Sequence, residues 1–139
     1  AEGWRILIGR GPMDEEVNRP IEEALSRAPG VASAAGHDLG RTAGLLRTVD
    51  AYLGVDSGVT HLSALVGCPT VAIYGSTRPA TWGPIGRSVR VLAGSRGRPC
   101  CASDHPRDCE GGCMETIEVE PVLTALRESV RSGGRGSSG

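Results

Sequence analysis

Apolar residues along the chain alternate between two spacings, one typical of buried strands and the other typical of helices. Short apolar runs bounded by Gly, Pro and polar residues predict strands, whereas apolar residues three and four positions apart predict helices. The predicted strands cover residues 4–8, 31–35, 51–55, 70–74 and 89–92, and the predicted helices cover residues 17–28, 39–49, 59–66 and 119–130. This alternation predicts an α/β fold, in which a Rossmann-like parallel sheet carries helices on both faces.

Two features set the expected limits of these elements. Pro20 lies in the first helical segment and fits only the first turn of a helix, so we expect this helix to begin near Asn18 as its cap or to be kinked. A length of 139 residues allows one domain, which we predict to be residues 1–131. Residues 132–139 are polar and rich in glycine, and we expect a disordered tail there.

The composition excludes several classes of partner. A net charge of −1 leaves no excess of positive charge for nucleic acid or for an anionic membrane surface. The sequence has no apolar stretch as long as a membrane span. It also lacks the basic start followed by an apolar run that would indicate a signal peptide. We therefore expect a cytoplasmic protein that binds no nucleic acid and has no integral membrane segment.

The predicted turn at residues 55–61 is a candidate phosphate-binding site. Parallel sheets bind ligands where their strands end at the carboxyl edge, and this turn and the one at residues 9–16 lie there. Asp56 follows a buried strand, and Ser57 and Gly58 open a helix. The first turn of a helix has unpaired N–H groups and the positive end of the helix dipole, and both attract phosphate.

The side chains of this turn suit separate roles. Gly58 leaves room for a ligand to approach the backbone, and Ser57 can cap the helix or donate its hydroxyl to a phosphate. Helical side chains lean towards the N-terminus, so we expect the imidazole of His61 to reach the same anion. Asp56 would repel a phosphate and is better suited to accept hydrogen bonds from sugar hydroxyls.

Two other interpretations of this turn remain open. In one, Asp56 or Ser57 only caps the helix, and His61 is a partly buried residue with satisfied hydrogen bonds. In the other, Ser57 is the nucleophile of a hydrolase and His61 is its base. A hydrolase elbow requires Gly-x-Ser-x-Gly, however, and residues 54–58 are one residue out of register with it. Triad histidines also come from distant loops rather than from the same helical turn.

The similarity to a known family extends well beyond this turn. Residues 55–84 resemble, without a gap, the heptosyltransferase signature D-S/T-G-x-x-H-L-A-A-A-x-G-x-P-x-V-A-x-x-G-x-T-x-P-x-x-W-G-P. Shorter similarities lie at residues 9–14, at residues 36–39 and in the cysteine-bearing segment 98–117. The resemblance covers roughly residues 3–130.

The resemblance implies a bacterial glycosyltransferase with two Rossmann-like lobes, in which ADP-heptose or a similar nucleotide sugar extends the lipopolysaccharide core. This chain would be the C-terminal, donor-binding lobe without its first strand and helix. The missing N-terminal lobe would hold the lipopolysaccharide-core acceptor and the general base. We therefore expect no catalytic residue in this chain and no activity from it alone. The implied location is cytoplasmic, at most peripheral at the inner face of the cytoplasmic membrane.

The resemblance also implies roles for the residues of the turn. Asp56 would contact the sugar, and Ser57, Gly58 and the amide of Val59 would bind the diphosphate, with His61 beside them.

A second acidic position comes from the turn at residues 14–16. An acidic residue there would bind the ribose hydroxyls, and Asp14 is the direct alignment, although two neighbouring glutamates compete with it. The alternative interpretation of this cluster is favourable negative charge at the start of a helix.

Four of the five cysteines lie close together and raise the question of a metal. With His105 they could bind zinc, although adjacent cysteines chelate poorly, so we favour free thiols; the four are Cys100, Cys101, Cys109 and Cys113. Cys68 is expected to be a small buried thiol. No Asp-x-Asp sequence is present to hold a divalent metal on the donor, and we expect no cofactor.

Two further functional classes remain open. One is another two-lobed enzyme that acts on a nucleotide sugar, such as an epimerase or a different glycosyltransferase. The other is a non-catalytic Rossmann-like binding domain that keeps the fold but not the site. Titration with several nucleotides separates these classes from the first.

Overall fold

The computed structural model describes residues 3–11, 15–25, 28–94 and 112–133. Strands and helices alternate along most of this sequence, as the apolar pattern predicts. The strands are β1 (Ile6–Arg10), β2 (Val31–Ala35), β3 (Tyr52–Val55), β4 (Thr70–Tyr74) and β5 (Val89–Ala93). The α-helices are α1 (Glu15–Leu25), α2 (Leu39–Leu46), α3 (Gly58–Leu65), α4 (Pro79–Trp82) and α5 (Val119–Gly133).

All strand pairs in the described residues are parallel, which confirms the α/β class. The strands form two sheets rather than the single sheet that we expected, one ordered β1-β2 and the other β3-β4-β5. The chain correspondingly divides into two compact units, residues 1–41 and 42–139.

The first unit contains β1, α1 and β2. The two strands pair in register from Ile6 opposite Val31 to Arg10 opposite Ala35. The expected helix start near Asn18 is wrong, because α1 already begins at Glu15 and contains Pro20 in its interior. Acidic residues at the start of a helix complement its dipole and favour this earlier start. Pro20 removes one backbone donor, and its ring crowds the carbonyl four residues before it.

The second unit is a three-stranded sheet with helices on both faces. Its central strand β4 is the best-buried element, with Val71, Ala72 and Tyr74 fully inaccessible to solvent. On one face, the hydroxyls of Ser63 in α3 and Thr70 in β4 form a buried hydrogen bond of 2.9 Å. On the other face, α5 covers the sheet, and Glu128 of α5 forms a 2.6 Å ion pair with β5 through Arg90.

Three details of the described elements depart from the sequence pattern. The four-residue helix α4 and a 3₁₀ turn at Met114–Thr116 were not predicted. Helix α5 ends at Gly133, two residues past the predicted end of the domain at residue 131. None of the helices in the described part of the chain combines the length and the apolar character that a membrane crossing requires.

Gly94 follows β5 at a point where two parts of the second unit come very close. Its amide donates to the carbonyl of Tyr74 at 2.9 Å. A Cβ atom at Gly94 would collide with the backbone carbonyl of Cys113, which cannot move aside as a flexible side chain can. Only glycine therefore fits between the end of β5 and the segment that leads to α5.

We predict that Gly94→Ala lowers the free energy of unfolding by about 1–3 kcal/mol, because the new methyl group forces the backbone at Cys113 to shift. Gly44→Ala is the matched control, since a Cβ atom there meets open space within α2. This control is expected to stabilise the protein by roughly 0.5–1 kcal/mol. Urea unfolding of both variants checks the prediction, and equal stability of the two would contradict it.

Candidate functional site

The candidate site lies at the carboxyl ends of β3 and β4. These strands are parallel neighbours in which Val55 pairs with Ile73, so the segments that follow them emerge at the same edge of the sheet. Asp56 is the first residue after β3, and Thr77 follows β4 by three residues. The hydroxyl of Thr77 donates to Oδ2 of Asp56 at 2.7 Å. The sheet therefore joins two residues that lie 21 positions apart.

The turn from β3 into α3 is held by the buried hydroxyl of Thr60. This hydroxyl donates to the carbonyl of Val55 at 2.5 Å, and its oxygen lies 3.1 Å from Oγ of Ser57 and 3.3 Å from Oη of Tyr52. Because the proton of Thr60 is committed to Val55, Ser57 is the donor in its bond with Thr60. One side chain thus connects the end of the strand to the start of the helix.

Ser57 is the N-cap of α3, as one of the alternative interpretations held. Its backbone is extended, with φ −157° and ψ 160°, and its Oγ accepts weakly from the amide of Thr60 at 3.4 Å. The amides of Thr60 and His61 also reach the carbonyl of Ser57, at 3.1 and 3.3 Å. In this arrangement the hydroxyl proton of Ser57 points to Thr60 and must rotate away before it can reach a ligand.

The amides of Gly58 and Val59 remain available for a ligand. They belong to the first turn of α3, where helix geometry provides no acceptor, and no acceptor for either is found among the described residues. The position that a Cβ atom of Gly58 would occupy has nothing within 4 Å. Two donors at the positive end of a helix, with open space in front of them, form a natural binding site for an anion.

Asp56 lies between Thr77 and His61 at the edge of this space. Its Oδ1 lies 3.8 Å from Nε2 of His61, and its Oδ2 accepts the hydroxyl of Thr77. The side chains of His61 and Asp56 are 44% and 31% exposed, so both are accessible to a ligand. Each carboxylate oxygen has two lone pairs, and one on each oxygen stays open for hydroxyl groups of a ligand.

Tyr74 is an uncharged neighbour of Asp56. It is fully buried, and its hydroxyl donates to the carbonyl of Trp82 at 2.7 Å. Burial first, and then the negative charge of Asp56, raise the pKa of Tyr74 to about 12. Tyr74 therefore keeps its proton at neutral pH and adds no second negative charge to the site.

The five residues predicted from the turn lie together on one strand-to-helix connection; they are Asp56, Ser57, Gly58, Val59 and His61. The sixth, Asp14, lies outside the described residues. Ser57 has its hydroxyl on Thr60 and His61 has its imidazole near Asp56, so the structure provides no support for a serine nucleophile with a histidine base.

The zinc alternative falls mostly outside the described residues. Cys100, Cys101, Cys109 and His105 are not described, whereas Cys113 is buried. Within the four described ranges, no group of three His, Cys, Asp or Glu side chains is arranged for a metal ion. Cys68 is buried and free, and burial raises the pKa of its thiol.

Three contributors escaped the sequence reasoning, namely Thr60, Tyr74 and Thr77. Parallel pairing of consecutive strands places the segment after β4 beside the segment after β3, and this rule could have indicated Thr77.

A separate apolar groove of about 320 Å³ lies on the α5 side of the sheet, with Leu53, Ile73 and Val122 among its walls. Its walls are largely aliphatic, so it does not suit a charged ligand.

Comparisons with known proteins identify a family for most of the chain. A family model described as glycosyltransferase family 9 (heptosyltransferase) matches residues 1–110. The chain is 22% identical over 140 residues to lipopolysaccharide heptosyltransferase 3 of Escherichia coli, covering 99% of this chain and 41% of that protein. It is 26% identical over 126 residues to lipooligosaccharide heptosyltransferase 2 of Haemophilus influenzae, covering 88% of this chain and 36% of that protein.

Two solved structures share the fold. A family 9 glycosyl transferase from Veillonella parvula superposes with a TM-score of 0.77 at 25% identity, over 94% of this chain and 37% of that one. The Escherichia coli ADP-heptose lipopolysaccharide heptosyltransferase II superposes with a TM-score of 0.76 at 24% identity, over 96% and 38%. This chain therefore spans well under half the length of each relative that it matches.

We predict that Thr60→Val lowers the free energy of unfolding by about 1–3 kcal/mol, because the carbonyl of Val55 and the hydroxyl of Ser57 lose a buried partner. Thr48→Val is the matched control, since its hydroxyl also donates to a carbonyl, that of Leu45, but in an exposed position. Chemical denaturation should show a loss of less than about 0.5 kcal/mol for this control. Equal losses of unfolding free energy in the two variants would contradict the prediction, because they would show that burial of the Thr60 hydroxyl does not affect stability.

We predict that Tyr74 titrates only near pH 12 in the folded protein. An unfolded tyrosine ionises near pH 10, so the unfolded chain loses this proton first and the protein loses stability as the pH rises from about 10 towards 12. Tyr74→Phe should remove this part of the pH dependence, at a cost of about 1 kcal/mol at neutral pH for the bond to Trp82. Unfolding in urea at several alkaline pH values measures both effects, and an unchanged pH dependence in the variant would contradict the assignment.

Proposed function

The chain belongs to glycosyltransferase family 9 (heptosyltransferase), and on this premise we propose that it is the donor-binding part of a heptosyltransferase. The single observation that carries the proposal is the pair of amides at Gly58 and Val59, for which the described residues provide no acceptor, with open space before them and a carboxylate at their side. A diphosphate that carries a sugar offers both an anion for the amides and hydroxyls for the carboxylate.

The diphosphate of the nucleotide sugar binds the amides of Gly58 and Val59 at the start of α3. Negative charge grows on this diphosphate as the sugar leaves, and fixed amide dipoles stabilise it without further reorganisation. His61 lies beside the same group, where an imidazole N–H can donate a hydrogen bond to a phosphate oxygen. Ser57 contributes by capping the helix, and its hydroxyl reaches the phosphate only after rotation away from Thr60.

The sugar lies against Asp56, which accepts hydrogen bonds from its hydroxyl groups. In the proposed transfer, an acceptor hydroxyl attacks the anomeric carbon while the bond from that carbon to the diphosphate oxygen breaks. The proton of the acceptor hydroxyl goes to a general base, which we place on a lobe that precedes this chain in the intact protein. The chain alone binds donor weakly and transfers nothing.

The remaining parts of the proposal concern the intact protein. Its donor is ADP-heptose or a similar nucleotide sugar, with Asp14 on the ribose hydroxyls, and its acceptor is the lipopolysaccharide core. Residues 1–131 form the donor domain, which another strand and helix complete. The enzyme works in the cytoplasm, at most peripheral at the inner face of the membrane. The names of the relatives support this assignment.

Titration of the intact protein with ADP, UDP and GDP tests the proposal. Binding of ADP raises the midpoint of thermal unfolding, because a ligand that binds only the folded state stabilises it. A preference for UDP or GDP would instead identify a different enzyme acting on a nucleotide sugar, an epimerase included. Absence of stabilisation by all three nucleotides would identify a non-catalytic binding domain.

We predict that Gly58→Ala leaves the fold intact but weakens the binding of ADP at least about tenfold. The new methyl group enters the open space through which the ligand approaches the amides, without touching the protein. Gly44→Ala serves again as the control, because its Cβ atom also meets open space but lies in α2. Calorimetric titration measures the affinities, and unchanged binding by Gly58→Ala would place the anion elsewhere.

A further inference from the structure

Thr77 contacts Asp56 from outside the strand-to-helix turn, as does Tyr74, whose hydroxyl also interacts with this carboxylate. The hydroxyl of Thr77 donates to Oδ2 of Asp56 at 2.7 Å in an exposed position, and Thr77 itself is partly buried. The resemblance assigns no role to this residue. Since Asp56 already lies near His61 on its other oxygen, the contact from Thr77 gives the carboxylate a partner on each side.

The segment that carries Thr77 is held at both ends. It leaves β4 at Tyr74 and enters α4 at Pro79, a residue whose ring fits the first turn of a helix. The hydroxyl of Tyr74 then donates to the carbonyl of Trp82, the last residue of α4, and closes the segment back onto the end of the strand. A hydroxyl on such a tethered segment has a fixed position relative to β3.

A fixed hydroxyl matters because the plane of an aspartate carboxylate is poorly defined by its own torsion. Rotation about the terminal bond of aspartate is broad and roughly two-fold. A donor at Oδ2 and a second group near Oδ1 select one plane and so orient the lone pairs that stay open. Recognition of neighbouring hydroxyls on a sugar requires such fixed acceptors.

We propose that Thr77 is a positioning residue that orients Asp56 towards the sugar and thereby sets the selectivity for a nucleotide sugar over the free nucleoside diphosphate. The inference rests on the proposed function. Thr77 acts only through Asp56 and does not touch the diphosphate, which binds the amides of Gly58 and Val59. Loss of the hydroxyl therefore weakens binding of the sugar and leaves binding of the diphosphate unchanged.

Calorimetric titration of the intact protein with ADP-heptose and with ADP tests this role. Thr77→Val keeps the shape of the side chain but removes the donor, and we expect about tenfold weaker binding of ADP-heptose and less than a twofold change for ADP. Thr77→Ser keeps the donor and should retain the wild-type ratio of the two affinities. Thr81→Val is the matched control, because Thr81 is exposed and no side-chain hydrogen bond of it is found in the described residues.

A double-mutant cycle with Asp56→Asn shows whether Thr77 acts through Asp56. In the Asn background, Thr77→Val should change the affinity for ADP-heptose less than twofold further, since coupled residues are not additive. Equal weakening of both ligands by Thr77→Val, weakening of neither, or full additivity with Asp56→Asn would overturn the positioning role alone. Failure of the wild-type protein to bind either ligand would overturn the proposed function and this role together.

Discussion

The buried hydroxyl of Thr60 is the interaction on which the candidate site depends. It donates to the last carbonyl of β3 and accepts from the N-cap of α3, so that a single oxygen joins the two elements across the turn. Burial excludes the water that would compete for these bonds, and an unmade bond there is expensive. These bonds fix the start of α3, where helix geometry leaves the amides of Gly58 and Val59 without an acceptor among the described residues.

Two opposite preferences meet at this turn. The start of α3 attracts an anion, whereas Asp56 repels one; one oxygen of this carboxylate accepts a hydrogen bond from Thr77, and the other lies near His61. Such a combination suits a ligand that carries charge at one end and hydroxyl groups at the other better than it suits a simple phosphate. The buried Tyr74 stays protonated, so it adds no second negative charge next to the carboxylate.

In the proposed function, the site binds the donor and stabilises the leaving group, and neither task requires a base in this chain. A site without a base of its own agrees with a chain that covers 41% and 36% of the lengths of two curated relatives. In both parallel sheets, strands alternate with helices along the chain. In the second unit, the central strand β4 is buried from both faces by α3 and α5, which gives the site a rigid base.

The sequence by itself determined the order and type of the main strands and helices and the position of the turn proposed to bind an anion, because periodicity and helix capping act between residues a few positions apart. It misplaced the start of α1 and missed α4, since α1 continues through Pro20 despite the cost of an interior proline and four residues show no period. Only the tertiary structure decided the contact of Thr77 with Asp56 and the division into two sheets. Pairing between strands brings together residues far apart in the chain, and the spacing of apolar positions does not encode which strands become neighbours.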